Sequence, residues 1–252
     1  MAVDTVTPLH HNDPHWEDRV DLACLFRWTA RLGMHEGIAN HYSLVVNDDG
    51  SQFLMNPKGR HFSRIRASDL LLLDANDPTC MDRPDAPERT AWALHGALHR
   101  RNPKARCALH VHSTYATALS TLADPTLPPI DQNTMRFFER VAVDDGYDGM
   151  GVGDEAERVC QQFADKSILI MGNHGVMLHG PSAAWAFDEL YYFEKAAQTY
   201  LIALSSGQAL SRVSDAVARK TAAQWLEIPE AADEHLAELK AILDDEEPDY
   251  RT

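Results

Sequence analysis

Residues 106–113, RCALHVHS, close an apolar run with two histidines one position apart. On a β-strand, side chains at i and i+2 share a face, so Ala108, His110 and His112 point one way and Cys107, Leu109 and Val111 the other. Two imidazoles side by side at a strand end can grip a divalent metal, although two ordinary polar residues at a strand end would read the same. A third histidine, His174, lies in Gly172-Asn173-His174-Gly175, between the apolar stretches 167–171 and 176–178. Glycines let such a turn bring a side chain to a defined position. Alone, His174 is more simply a turn residue. Together the three make a ligand set with coordination positions left for substrate or water, which is the pattern of a Lewis-acid catalyst.

The hydrophobic pattern supplies elements to position these histidines. Asp13-Pro14, followed by Trp16, Val20, Ala23, Phe26 and Ala30, predicts a helix to about Leu32, with Gly33 as its stop. A strand over 42–46, a turn at Asp48-Asp49-Gly50 and a returning strand over 52–55 form a hairpin. Asn56-Pro57-Lys58-Gly59 is a turn, residues 70–74 a strand, the proline-bearing 75–88 a surface loop, and 88–100 a helix. After the histidine-bearing strand come a helix over 114–122, a proline-rich loop, a strand within 135–143, a glycine-rich loop and a helix over 154–164. A long helix follows Gly180-Pro181-Ser182. Helices near 215–226 and 229–243 end the chain, and the acidic DDEEPD after them reads as a solvated terminus. With no linker and no repeat, the expectation is one α/β domain over 1–252, with 1–13 a flexible tail and 207–252 a C-terminal helical extension. His10, His11 and His15 belong to that tail region and read as incidental.

Composition narrows the classes. The chain has 252 residues, 44 % of them apolar, which is enough for a full core. A formal charge of −15 argues against a general affinity for nucleic acid or anionic membranes. Cys24, Cys80, Cys107 and Cys160 form no CxxC pair and read as reduced, mostly buried thiols of a cytoplasmic protein. Asp4 and Pro8, with no apolar stretch around them, lead to the expectation that there is no signal peptide, and the apolar run 70–73 is far too short to span a membrane.

Taken in order, GIANHYS at 37–43, NPKG at 56–59, the 68–74 segment, residues 92–100, HVHS at 110–113, residues 136–141, and NHG at 173–175 before a helix ending FEKAAQTYL resemble the class II aldolase/adducin family over 17–205. The resemblance implies a three-layer α/β/α fold with a central, mostly antiparallel sheet. It also implies a homotetramer with active sites at subunit interfaces, and zinc, manganese or a similar divalent ion on His110, His112 and His174. Enzymes of this family chelate two substrate oxygens and stabilise an enolate or enediolate, which supports aldol cleavage, epimerisation and decarboxylation.

The sequence departs from the family's sugar-phosphate aldolases at informative places. The acidic residue that serves them as general acid/base, just before Trp92, is Ala91 here. The serine pair before it, which binds phosphate, is Arg89-Thr90, and the phosphate turn carries Lys58 beside Gly59. Asn40-His41 replaces a glycine-asparagine pair. Aldol chemistry needs a base, whereas loss of CO2 generates the carbanion directly. The expectation is therefore a metal-dependent carbon–carbon lyase leaning to decarboxylation of a small hydroxy- or oxo-acid, aromatic acids included. His41 and His95 are candidates to replace the base, and Tyr147 to donate a proton across an interface. Asn40, Lys58, Gly59, Arg89, Thr90, Gln132 and Arg136 are candidate contacts for a small anionic substrate. His95 and His99, one helical turn apart, suit helix packing as readily as a second metal pair, and Glu194 suits a structural role. A sugar or sugar-phosphate aldolase or epimerase is the alternative chemistry, and a non-catalytic adducin-like interaction module the alternative class.

Overall fold

The computed structural model describes residues 13–146 and 155–252. Seven strands form one sheet: β1 (His41–Val45), β2 (Gln52–Met55), β3 (Leu71–Asp74), β4 (Cys107–Val111), β5 (Val141–Asp144), β6 (Ile168–Met171) and β7 (Gly175–Gly180). Their order is β3-β2-β1-β4-β7-β6-β5, which puts the histidine-bearing β4 in the middle. Every pairing is antiparallel except β5 with β6. All five residues of β4 are buried, as a strand covered on both faces requires.

Eight helices flank the sheet among the described residues. On one face, α1 (Trp16–Arg31), α3 (Thr114–Ser120), α6 (Ala183–Ser205) and α8 (Glu230–Glu246) meet Cys107, Leu109 and Val111 in the main core. On the other, α2 (Arg89–Arg101) and α5 (Glu155–Gln162) cover Ala108, Leu169, Met171 and Met177. The period-2 alternation along β4 thus feeds two separate cores, and the result is the expected α/β/α layering. The short α4 (Gln132–Arg136) and the longer α7 (Asp215–Leu226) pack together beside α6. None of these helices is long and apolar enough to cross a membrane.

Three expectations need correction. Residues 132–136 are helical, and the strand starts only at Val141. Asp131 and Thr134 form a reciprocal capping box there, which satisfies backbone N–H groups that a strand would have had to pair elsewhere. The first strand begins at His41, so His41 lies in register with His110 on β4.

The acidic terminus is largely exposed, as expected, but it is also docked through two of its carboxylates. Arg27, only 5 % exposed, donates to Glu247 Oε2 at 3.0 Å, Asp249 Oδ2 at 2.9 Å and the Ile65 carbonyl at 2.8 Å. Tyr250 is fully buried, and Leu236, Leu239 and Leu243 of α8 join the main core. A buried guanidinium needs carboxylate partners, and this acidic run supplies them.

Candidate metal centre and its pocket

His110 comes from β4, His112 from the residue just beyond its end, and His174 from the turn between β6 and β7. Local structure fixes each. Ser113 Oγ and the N–H groups of Tyr115 and Ala116 all donate to Glu194, at 2.7 to 2.9 Å, so a buried carboxylate of α6 anchors the chain directly after His112. Asn173 adopts a positive φ of 56°, a conformation that asparagine tolerates better than most residues and that turns the chain at His174.

The three histidines offer ring nitrogens that all lie within 4.8 Å of one another. The protonation pattern fits a cation. A carbonyl oxygen only accepts, so His110 Nδ1 donates to Val176 O at 3.2 Å, and its Nε2 keeps the lone pair. Glu36 Oε2 accepts from His112 Nδ1 at 2.5 Å, turning the other nitrogen of that ring inward. The two Nε2 atoms then face each other at 3.0 Å. At that distance the two nitrogens can share a proton or be bridged by a cation. Burial also pushes His110 well below the ordinary histidine value and His174 down to about 4, so both rings are neutral and able to ligate.

These histidines open into a cavity of about 580 Å³. Its lining includes the polar residues Asn40, His41, Lys58, Glu88 and Thr90, with Gly59 beside Lys58, and the apolar side chains Ile38, Pro87, Ala91, Leu94, Val159 and Met171. Asn40 is 2 % exposed; its Oδ1 accepts from Glu36 N at 2.7 Å, while its Nδ2 has no hydrogen-bond partner among the described residues. A buried unsatisfied donor in a cavity wall invites an acceptor from a ligand. Gly59, at φ 77°, makes the turn beside Lys58.

His41 lines the cavity and bonds through Nδ1 to His95 Nε2 at 2.8 Å. Burial pushes His41 down to about 4, against the opposing charge of Glu88. His95 is fully buried in α2, behind His41 rather than on the cavity surface.

The structure brings Asn40, His41, Lys58, Gly59, Thr90 and the three metal-type histidines around one cavity. Three other candidates lie elsewhere. Arg89 is exposed on the first turn of α2 and does not line the cavity, because the helix phase turns it outward while Thr90 and Ala91 face in. Gln132 is exposed on α4 and also lies off the cavity. Arg136 is buried, and its charge is already consumed: it donates to Glu189 at 2.9 Å and Asp188 at 2.6 Å, against the rings of Tyr192 and Trp225. Tyr147 falls outside the described residues.

Sequence reasoning missed two carboxylates. Glu88 is the N-cap of α2, accepting from Ala91 N at 2.9 Å and from the Thr90 hydroxyl, and it lines the cavity three residues before the position read as lacking its acid. Burial raises the Glu88 carboxyl, but the hydrogen bonds from Thr90 and Ala91 outweigh it and hold it below the usual range. The sequence predicts Glu88 as the first helical residue, whereas the structure makes it the cap just before Arg89. Glu36, partner of His112, is exposed and had no sequence signal beyond its place in the GMHEG loop.

The family model described as the Class II Aldolase and Adducin N-terminal domain matches residues 20–201. A putative aldolase class 2 protein of Caulobacter vibrioides is 29 % identical, over 78 % of this chain and 76 % of its own length. Decarboxylase NovR of Streptomyces niveus is 28 % identical, over 67 % of this chain and 64 % of its own. Among solved structures, that of an aldolase II superfamily protein from Pseudomonas syringae aligns with a TM-score of 0.84 and 31 % identity, covering 99 % of this chain and 98 % of the other.

Proposed function

The chain belongs to the class II aldolase and adducin family, and on that premise we propose that it is a divalent-metal-dependent carbon–carbon lyase that decarboxylates a small hydroxy- or oxo-acid with an apolar, aromatic body. One observation carries the reading: the cavity combines a three-histidine set and an unsatisfied amide with the apolar side chains of Ile38, Pro87, Ala91, Leu94, Val159 and Met171. A sugar phosphate would leave those side chains unused and bury its own hydroxyls against them at a cost. The similarity to a decarboxylase is consistent with this choice.

In this scheme His110, His112 and His174 hold zinc or manganese. When bound, the ion supplies Lewis acidity that stabilises negative charge developing on a substrate oxygen. Lys58 and the Asn40 amide bind and orient the anionic end of the substrate. Leu94, Val159 and Met171 enclose its apolar body and exclude water from the carbon that loses CO2, with Ile38 at the solvent-facing edge. His41 accepts a proton from a substrate hydroxyl, or from solvent for an oxo-acid, and gives it to that carbon in place of the CO2 that leaves. Glu88 is held ionised by its capping bonds and acts as a fixed charge beside His41 rather than as the base. The working form in this reading is a cytoplasmic homotetramer.

A second reading, a sugar or sugar-phosphate aldolase or epimerase, is favoured by one feature, the Glu88 carboxylate on the cavity wall. The test separates the two. The metal-loaded protein is incubated with aromatic and aliphatic hydroxy- and oxo-acids and with sugar phosphates, and CO2 and aldehyde are measured separately. CO2 release from an aromatic acid is the expected result. Aldehyde without CO2 sinks the decarboxylase reading in favour of the second.

A further inference from the structure

Behind His41 runs a buried file of hydrogen bonds that the reaction scheme above does not use. His41 Nδ1 meets His95 Nε2 at 2.8 Å, and His95 Nδ1 meets Ser43 Oγ at 2.5 Å. Ser43 Oγ meets His99 Nε2 at 2.7 Å, and His99 Nδ1 meets the Ala105 carbonyl at 2.6 Å. His95, Ser43 and His99 are at most 2 % exposed, so water does not compete for these partners.

The last link sets the direction of all the others. A carbonyl oxygen has no proton to give, so His99 must donate through Nδ1, and its neutral ring keeps the lone pair on Nε2. Ser43 therefore donates to His99, and the hydroxyl, its one proton spent, accepts from His95 Nδ1. His95 is left with a bare Nε2, which can only accept, so His41 donates to it through Nδ1. His41 Nε2 is then a lone pair, and His41 lines the cavity. All three rings carry the proton on Nδ1, whereas free histidine prefers Nε2–H.

We propose that Ser43, His95 and His99 are positioning residues, a one-directional hydrogen-bond chain anchored on the Ala105 carbonyl that holds His41 as a proton acceptor towards the cavity. The consequence for turnover rests on the lyase reading above; the tautomers do not. Without the chain, His41 is free to take the commoner tautomer and present an N–H where the scheme needs a lone pair. The sequence placed Ser43 two residues after His41 on the same strand face, and His95 and His99 one turn apart on one helix. Each alternation delivers its two members to the same buried line.

The chain is tested in the metal-free full-length protein, with ring-15N histidine and long-range proton–nitrogen correlation spectra at neutral pH. Signals are assigned by loss in His41→Gln, His95→Gln and His99→Gln. A protonated Nδ1 and a bare Nε2 at all three positions is the expected pattern. An Nε2–H or tautomer-averaged signal at any one of them overturns the proposal. In Ser43→Ala the His41 signal is expected to move to tautomer-averaged values, and Ser43→Thr, which keeps a hydroxyl, to restore it. With the acid turned over in the substrate panel, Ser43→Ala should lower kcat roughly 10- to 100-fold with KM little changed. An unchanged kcat alongside altered tautomers also overturns the positioning role. Should Ser43→Ala fail to fold, the wild-type spectrum alone decides. Correct tautomers in a protein that releases no CO2 from any acid would defeat the lyase reading and leave the chain standing.

Discussion

Gly175 runs so close beneath Val111 that a Cβ on it would sit 2.6 Å from the Val111 carbonyl oxygen and 3.0 Å from His112 Cδ2. Both contacts fall at the end of β4, where two of the three metal-type histidines sit, and the neighbour of Gly175 is the third. Backbone cannot yield to a methyl group at that distance. Gly175→Ala is therefore expected to push the β6–β7 turn away and separate His174 from His110 and His112. Metal content per chain after gentle purification should fall at least ten-fold, while the far-ultraviolet circular dichroism spectrum stays near wild type. Full metal loading in this variant would mean that His174 is not a ligand.

The bond from His112 Nδ1 to Glu36 Oε2 fixes which ring nitrogen faces His110. Outer partners of this kind commonly contribute about 10- to 100-fold to metal affinity. Glu36→Gln keeps the size and one acceptor oxygen but loses the charge, so metal dissociation measured by chelator competition should accelerate within that range. His112→Ala, which removes a ligand outright, should abolish both stoichiometric metal and turnover. Equal loss in the two variants would contradict the separate roles assigned to them.

Acid sensitivity follows from buried histidines away from the metal. Burial pushes His99 down to about 4, against its hydrogen bond to Ala105, and likewise His179 to about 4. As pH falls below 6.5 the unfolded chain protonates these rings, whereas the native protein does not until about pH 4. The unfolded state thus binds more protons across that window, and stability is lost as pH falls through it. Each such group is worth on the order of 3 kcal/mol at the bottom of the window. Urea midpoints of the metal-free protein should drop steadily from pH 7 to pH 4.5, and His179→Gln should flatten part of that slope. A midpoint that does not move over this range would show that these rings are not held neutral.

What could be seen in the sequence was whatever depends on local spacing. Alternation along 106–113 put His110 and His112 on one side of a strand, the glycines around His174 marked a tight turn, and the seven strands and the long helices follow their hydrophobic periods. Lys58, Gly59, Asn40 and His41 were placed near the site by motif order alone, and they line its cavity.

The rest needed the third dimension, because burial and partner choice depend on residues far apart in sequence. Arg136 follows the proline-rich loop and was expected to contact substrate, yet it ends α4, where Asp188 and Glu189, more than fifty positions away, neutralise it inside the protein. Glu88 reaches the cavity because a helix begins one residue later and turns its capping carboxylate inward. The tautomer of His41 is decided by a backbone carbonyl at Ala105, through three side chains from two elements. Spacing determined which histidines could meet. Only packing decided which of their nitrogens carries the proton, since that depends on the acceptor each ring is pressed against.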